Sequence, residues 1–346
     1  MSNKLNHASY IDTPSQGLQL WAAQLADLAK HRGVHPDKLL KGTRLFYQDF
    51  AAGTAKVSVE QFYRLQENCS QLDNQQQLSF LLGRKLLNHN PLYSAFSQAD
   101  SLCTLQKLLM RSPLYGFNLF NAQHKHHQSR HYFIINLSFG AINAAVEQFC
   151  CELFASFIAA TCKWRIGNNS DLCFSFPYAQ PTHIEQYQTN LQANCKFSQQ
   201  LFMISISDEL YNKHLFDSSP SLLQQSLTII QQLPLPASSW LQLVRDHIAS
   251  HPQQSLETVA HYFTMSPATF KRKLKQHHTR FSALQDAINQ QKAVFNITTL
   301  AQTNETLAGE FNFNDLTNFR RAFKRWTGMT PSNLRCHFNY SKQRDL

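Results

Sequence analysis

One pattern occurs twice in the last third of the chain, and it limits the possible folds more than any other feature. Residues 255–276 read SLETVAHYFTMSPATFKRKLKQ, and residues 303–326 read TNETLAGEFNFNDLTNFRRAFKRW. In each copy a short helix with one apolar face leads through a tight break into a second helix rich in Lys and Arg. Ala260 and Ala308 hold equivalent positions 48 residues apart. The sequence therefore predicts two helix-turn-helix units in register.

Local signals support both units. Ser255 and Ser266 stand where side chains cap helix starts, and Pro267 takes the first helical position, where its missing N–H costs nothing. Residues 281–297 predict a single helix that connects the units. The predicted buried positions are Val259, Ala260, Phe263, Phe270 and Leu274 in the first unit and Leu307, Ala308, Phe311, Phe313, Phe319 and Phe323 in the second.

At these residues the chain resembles a known family. Residues 319–335 (FRRAFKRWTGMTPSNLR) closely resemble the C-terminal signature of AraC/XylS-type transcription regulators, and residues 266–274 resemble the first recognition helix of that family. The resemblance covers about 237–338. It implies an all-α domain whose two units enter successive major grooves of double-stranded DNA, with RNA polymerase as a further partner. Residues 178–216 resemble, more loosely, the arabinose-binding-like effector domain, which implies a homodimer through the first domain.

The resemblance also implies roles for single residues. Arg272 and Arg321 occupy matching places, and each can bind guanine bidentately. Trp326 and Pro331 are expected to pack the closing helix. The alternative interpretation of the basic residues is a solvated helix face. The implied base-reading residues are Ala268, Lys271, Arg272, Thr317, Arg320 and Arg321, and the implied phosphate contacts are Lys275, Arg280, Lys324 and Arg325.

Four positions depart from the family pattern. Thr264 and Asn312 stand in the two tight turns, where Gly or Asn is usual, and His278 stands where Gly is frequent. Asn is a normal substitute in a left-handed conformation, but Thr is not. Asn289 replaces an Arg that commonly begins the second half of the connecting helix. We therefore expect these residues to affect the geometry and stability of the first unit, and we expect the fold to be unchanged.

The charge distribution predicts two domains. The net charge is +10, and residues 237–346 hold 14 Lys and Arg against 7 Asp and Glu, whereas residues 1–236 hold 18 against 15. Two prolines in the segment 231–236 interrupt any helix that reaches it. We therefore predict an effector-binding and dimerisation domain over 1–236 and a DNA-binding domain over 237–346. The excess of positive charge favours an anionic partner.

The first domain is predicted to be α+β, with a mixed or antiparallel sheet. Helical periodicity and β-rich runs alternate along it. A pocket lined by Phe and Tyr would suit a small apolar effector, although plain core is the commoner reason for such residues. The predicted helices are 18–31, 75–88, 101–111, 141–163 and 185–192; the predicted strands are 172–176 and 201–207, with a hairpin over 115–124 and 131–139.

A histidine cluster is the most site-like feature of this domain. His124, His126, His127 and His131 fall where the hairpin turn is predicted. Closely spaced imidazoles can bind Zn²⁺, but no Cys or carboxylate lies nearby in sequence. We therefore interpret the segment as a solvated turn, with a metal or anion site as the alternative. The eight cysteines form no CxxC pair, and Cys150, Cys151 and Cys162 are expected in the core as reduced thiols.

Several function classes are not indicated. The sequence has no run of about 18 apolar residues and no signal peptide, so a cytoplasmic protein is expected. No nucleophile elbow, P-loop or dinucleotide motif is present, so we expect no enzyme, no cofactor and no bound metal. The favoured hypothesis is a transcription regulator controlled by a small molecule. The alternatives are an enzyme or metal-binding unit tethered to DNA, and a regulator without an effector.

Overall fold

The structure, a computed structural model, describes residues 8–15, 17–72, 78–88, 92–111, 117–233 and 237–343. The contacts divide the chain into two compact units, Met1–Leu243 and Val244–Leu346. Pro234 and Pro236, on which the predicted domain boundary rests, lie outside the described residues.

Helices form most of the first unit. Helix α4 (Val59–Ser70) begins with a capping box, in which Ser58 Oγ accepts from the Gln61 N–H and the Gln61 side chain accepts from the Ser58 N–H. The helices before the sheet are α1 (Leu18–His31), α2 (Pro36–Leu39), α3 (Tyr47–Ala51), α4 (Val59–Ser70), α5 (Leu78–Gly83), α6 (Leu92–Ser97) and α7 (Leu102–Arg111). Those that follow are α8 (Ala144–Ile166), α9 (Ile184–Leu191), α10 (Asp208–Tyr211) and α11 (Pro220–Gln232).

A five-stranded mixed sheet completes this unit, as predicted. Its order is β1-β2-β5-β3-β4, and only the β3–β4 pair among the described strands is parallel. Strand β4 has three residues and was not predicted. The strands are β1 (Phe120–His127), β2 (Arg130–Leu137), β3 (Cys173–Ser175), β4 (Asn194–Lys196) and β5 (Met203–Ser207).

The two strands of the hairpin begin and end at different residues from those predicted. Strand β1 continues to His127, so the turn consists of Gln128 and Ser129 alone. Both turn residues have positive φ, 46° and 57°, which gives a two-residue turn whose twist matches that of the strands. Three of the four clustered histidines therefore lie on β1 and the fourth on β2. The predicted turn is wrong for them, because all four residues are paired in the β1–β2 ladder.

Helix α8 forms the centre of the core. It is long and apolar enough to cross a membrane, but 72% of its most apolar window is buried inside the protein, as in the core helix of a globular domain. Cys150, Cys151 and Cys162 lie on α8 as buried free thiols, as predicted. Burial raises the pKa of Cys162 to about 12 and raises that of Cys150 further.

The second unit is all-helical in its described residues. Helix α15 connects two helix pairs, as the sequence predicts. The helices after residue 237 are α12 (Trp240–Ser250), α13 (Leu256–Tyr262), α14 (Pro267–Gln276), α15 (Phe281–Thr298), α16 (Asn304–Glu310), α17 (Leu316–Thr327) and α18 (Pro331–Gln343).

Candidate nucleic-acid interface

The two helix pairs α13–α14 and α16–α17 have the same local construction. In the first turn the Met265 N–H donates to the Ala260 carbonyl at 2.9 Å, and in the second the Phe313 N–H donates to the Ala308 carbonyl at 2.8 Å. Both alanines are buried, since a larger side chain at this position would separate the paired helices. The repeat seen in the sequence is therefore a repeat of backbone geometry.

Side chains cap the start of each second helix. Ser266 Oγ accepts from the Thr269 N–H at 3.2 Å, and Asp315 Oδ1 accepts from the Asn318 N–H at 2.7 Å. The turn residues Thr264 and Asn312 adopt left-handed φ values of 55° and 57°. The first turn thus has the same backbone geometry as the second in spite of its threonine. Thr264 therefore raises the free energy of the turn without changing its shape.

Buried aromatic rings fix the orientation of both second helices. Phe270 and Leu274 bury one face of α14, and Phe319 and Phe323 bury one face of α17. Trp326 is buried beside Phe311 at a ring distance of 5.0 Å, so it packs within the second helix pair, and its packing against the closing helix stays a prediction. The exposed faces of these two helices carry nine of the residues that the family resemblance implies, and Arg280 lies at the N-cap of α15. All ten are exposed: Ala268, Lys271, Arg272, Lys275, Arg280, Thr317, Arg320, Arg321, Lys324 and Arg325.

Some of these basic side chains lie near acidic side chains, and others form no ion pair. Hydrogen bonds at the start of α13 lower the pKa of Glu257, and the charge of Lys271 adds to that shift. Glu305 is affected in the same way, with a contribution from Arg320. Among the described residues, Arg272 and Arg321 form no ion pair, so both guanidinium groups are available for a ligand.

Arg325 is a residue whose surroundings the sequence did not reveal. Its guanidinium donates to Asp286 Oδ1 on the connecting helix at 2.9 Å. A surface depression at the start of α17 also includes Asn314 and Asn318 beside Arg321. Neither asparagine was predicted as a site residue, although the capping residue Asp315 between them marks this helix start.

The first unit contains an apolar cavity. It measures about 100 Å³ and is lined mainly by α6, α7, α8, α10 and the sheet. A cavity of this size has room for a compact apolar group. Its lining residues are Phe96, Leu102, Leu105, Gln106, Leu109, Met110, Ala122, Phe133, Ile135, Phe154, Phe157, Ile158, Thr161, Cys162, Leu172, Ile204, Ile206 and Tyr211.

Comparison with protein-family models assigns both units. The model described as the arabinose-binding domain of AraC transcription regulators, N-terminal, matches residues 33–215, and the model described as a helix-turn-helix domain matches residues 259–336. This chain belongs to the AraC family of transcription regulators. The N-terminal match covers more than half of the chain, and the second match runs from within α13 into α18.

Two curated relatives and one solved structure, all from Pseudomonas aeruginosa, resemble this AraC-family chain. The ornithine utilization regulator is 26% identical over 55% of this chain and 58% of its own length. The HTH-type transcriptional regulator VqsM is 24% identical over 37% of this chain and 42% of its own length. The chain therefore spans about half the length of these relatives. The crystal structure of the transcriptional regulator CdpR aligns over 90% of this chain and 96% of that one, with 14% identity and a TM-score of 0.44.

Proposed function

We propose that this AraC-family chain is a sequence-specific, DNA-binding transcription regulator that is not an enzyme. The observation that carries the proposal is the pair of helix-turn-helix units with equivalent turn hydrogen bonds and helix caps. Each unit exposes a basic second helix with an arginine that forms no ion pair among the described residues. A single basic helix is frequently a solvated face. Two such helices fixed by equivalent buried residues and joined by one connecting helix have the construction of a DNA reader. We assign residues 237–346 to DNA binding and residues 1–236 to effector binding.

The proposed contacts fall into two classes. Base reading comes from Ala268, Lys271 and Arg272 in α14 and from Thr317, Arg320 and Arg321 in α17. Phosphate binding, which supplies affinity without sequence information, comes from Lys275, Arg280, Lys324 and Arg325. The ion pair with Asp286 holds Arg325 on the surface of the connecting helix, and contact with a phosphate would compete with that carboxylate.

Selection of genomic fragments by the full-length protein tests this function. We expect a recurrent motif with two subsites about one helical turn apart, recovered at both low and moderate salt. Recovery of sequence-blind fragments alone, lost at moderate salt, would contradict it, because electrostatic binding without base reading behaves in that way.

We propose that the effector presents a compact apolar group to the cavity of the first unit. No charged side chain is among the described lining residues, and polar hydrogen-bonding groups come from Gln106, Thr161 and Tyr211. One relative is named for ornithine utilization. Ornithine has charged groups at both ends and would need buried counter-charges, so it does not suit this lining.

Cavity binding is testable with simple probes. Benzene and 1-hexanol should raise the thermal unfolding temperature of the full-length protein, and ornithine should not. Ala122→Phe should fill the cavity and abolish the shift, whereas Ala51→Phe, on the exposed face of α3, should retain it. Stabilisation by ornithine that survives Ala122→Phe would contradict an apolar effector.

We further propose a cytoplasmic homodimer that acts on RNA polymerase, as the family resemblance implies. Helix α11 supports the dimer, because Leu222 and Ile229 are 47% and 60% exposed on it. Leu222→Glu with Ile229→Glu should lower the mass measured by light scattering to that of one chain, and Gln224→Glu, exposed on the far side of the same helix, should not. A single-chain mass for the unmodified protein would exclude the dimer.

A further inference from the structure

The histidines of the hairpin form a cluster with a carboxylate that is distant in sequence. His126 Nε2 lies 2.8 Å from Asp208 Oδ1, and His131 Nε2 lies 2.9 Å from the same oxygen. The three ligand atoms all lie within 4.8 Å of one another. Two imidazoles and a carboxylate are a ligand set that divalent transition metals accept.

One of these nitrogens lacks a directed hydrogen bond. His131 is 8% exposed, and its Nε2 atom is buried without a hydrogen-bond partner of acceptable geometry, although Asp208 Oδ1 is close. A buried polar atom without a partner lowers the stability of the fold unless another group binds to it. A metal ion between His131 and Asp208 would do so.

A neighbouring histidine can orient the buried one. His124 Nε2 lies 2.8 Å from His131 Nδ1. If the Nδ1–H of His131 donates to His124, the lone pair of His131 Nε2 faces Asp208. Metal-binding histidines commonly use their second nitrogen in this way, which fixes the tautomer and ring orientation.

The backbone holds the three groups in a fixed relation. His126 and His131 are directly opposed on β1 and β2, and His131 pairs with Ile206 on β5, two residues before Asp208. The Asp208 N–H donates to the carbonyl of the turn residue Ser129 at 2.9 Å. The cluster is therefore tied at both the hairpin turn and the end of β5.

We propose that His126, His131 and Asp208 bind a divalent transition-metal ion, with Zn²⁺ as the reference ion and His124 as the residue that positions His131. Tetrahedral Zn²⁺ with bonds near 2.1 Å separates its ligand atoms by roughly 3.3 Å, so the observed contacts need to open by a few tenths of an ångström. His126 and Asp208 have side chains 52% and 36% exposed, which leaves a path from solvent and further coordination positions for water.

The site adjoins the apolar cavity. The ring of Tyr211 lies 3.8 Å from that of His131 and also lines the cavity, and Phe133 lies 4.8 Å from His124 and lines it as well. Asp208 and Tyr211 are the two ends of helix α10. A metal that fixes Asp208 therefore also restrains one wall of the cavity.

Zn²⁺ titration of the chelator-treated, reduced full-length protein tests the site by calorimetry. We expect one Zn²⁺ per chain that is lost, or weakened more than about 100-fold, in His126→Ala and in Asp208→Asn. His124→Ala should weaken it by about 10- to 100-fold, the range for groups that support a ligand. His127→Ala, one residue along the same strand, should bind as the unmodified protein does.

Co²⁺ substitution gives a second measurement that does not depend on the stability of the variants. The visible spectrum of the unmodified protein with Co²⁺ should show nitrogen and oxygen ligation without a thiolate charge-transfer band. The proposal is overturned by absence of Zn²⁺ binding, by binding unchanged in both His126→Ala and Asp208→Asn, or by a thiolate band. These outcomes leave DNA binding by the second unit untouched, so the two proposals fail separately.

Discussion

Four described residues of the second unit adopt left-handed backbone angles without being glycine. Thr264, His278, Ala301 and Asn312 have φ values of 55°, 54°, 53° and 57°. A β-branched residue is least suited to this region, at a cost of roughly 1–2 kcal/mol, whereas Asn is common there. The left-handed conformation therefore costs more free energy in the first turn than in the second. The Thr264 hydroxyl offsets part of it by donating to the Phe263 carbonyl at 2.7 Å.

Exchanging the two turn residues should reveal this difference. Thr264→Asn should stabilise the first unit by about 1 kcal/mol, and Asn312→Thr should destabilise the second by a similar amount. Hydrogen exchange of the α13–α14 and α16–α17 amides in the full-length protein measures each unit separately. Equal protection in all three proteins would show that the turns carry no such cost.

The cysteines differ in their access to reagents. Cys69, Cys150, Cys151 and Cys162 are buried, and burial raises the pKa of each thiol. Cys336 is exposed. Because the thiolate is the reactive form, a disulfide reagent should label Cys336 in the fastest phase. Cys336→Ser should remove that phase, and the buried thiols should react only after denaturation. Fast labelling that survives Cys336→Ser would contradict the described core.

At the scale of elements, one glycine determines how closely two helices approach. A Cβ added to Gly83 on α5 would lie 2.3 Å from the Leu153 carbonyl oxygen and 2.7 Å from Ser156 Cβ on α8. Neither of these atoms belongs to a flexible chain end. The packing of α5 on α8 therefore requires glycine at this position.

Alanine substitutions at two helical glycines should have opposite effects. Gly83→Ala should destabilise the protein by about 1–3 kcal/mol, because the helices must separate. Gly309→Ala should stabilise it by about 0.5–1 kcal/mol, because its added methyl meets nothing within 4 Å and alanine favours a helix. Thermal unfolding of the two variants provides the comparison. A neutral Gly83→Ala would show that the contact is looser than described.

Local signals explain which elements could be predicted. Caps, apolar spacing and the internal repeat define α13 to α17, so their bounds agree with the sequence within a residue or two. Strand β4 has three residues, Asn194–Lys196, and its parallel pairing with β3 arises from tertiary contacts. The predicted helix over 75–88 is described as helical only for Leu78–Gly83, and residues 73–77 lie outside the described residues.

The histidine cluster includes a long-range contact that a local sequence pattern cannot predict. The ring positions of His124, His126 and His131 follow from strand alternation once the hairpin register is known. Asp208 joins them from 82 residues beyond His126, through the pairing of β2 with β5. No local sequence signal predicts that pairing, so Asp208 was not predicted as a member of the proposed metal site.

At the scale of the whole molecule, the basic charge is concentrated where DNA binding is proposed. Lys324 is exposed on α17, beside the residues proposed to read bases. Lys324→Ala should weaken binding to all DNA sequences alike and lower the salt dependence of log K by about one. Measuring binding of a motif and of an unrelated duplex across salt concentrations checks this. A changed base preference would show that Lys324 reads bases.

The proposed double reading of DNA rests on Arg272 and Arg321 acting at separate subsites. The measurement that tests it is the affinity of full-length protein, Arg272→Ala and Arg321→Ala for the selected motif and for two duplexes with one subsite altered in each. Each variant should lose about 1–3 kcal/mol of discrimination at one subsite only, and the two variants should lose it at different subsites. Loss at the same subsite, or unchanged discrimination in either variant, would contradict reading by both helix-turn-helix units.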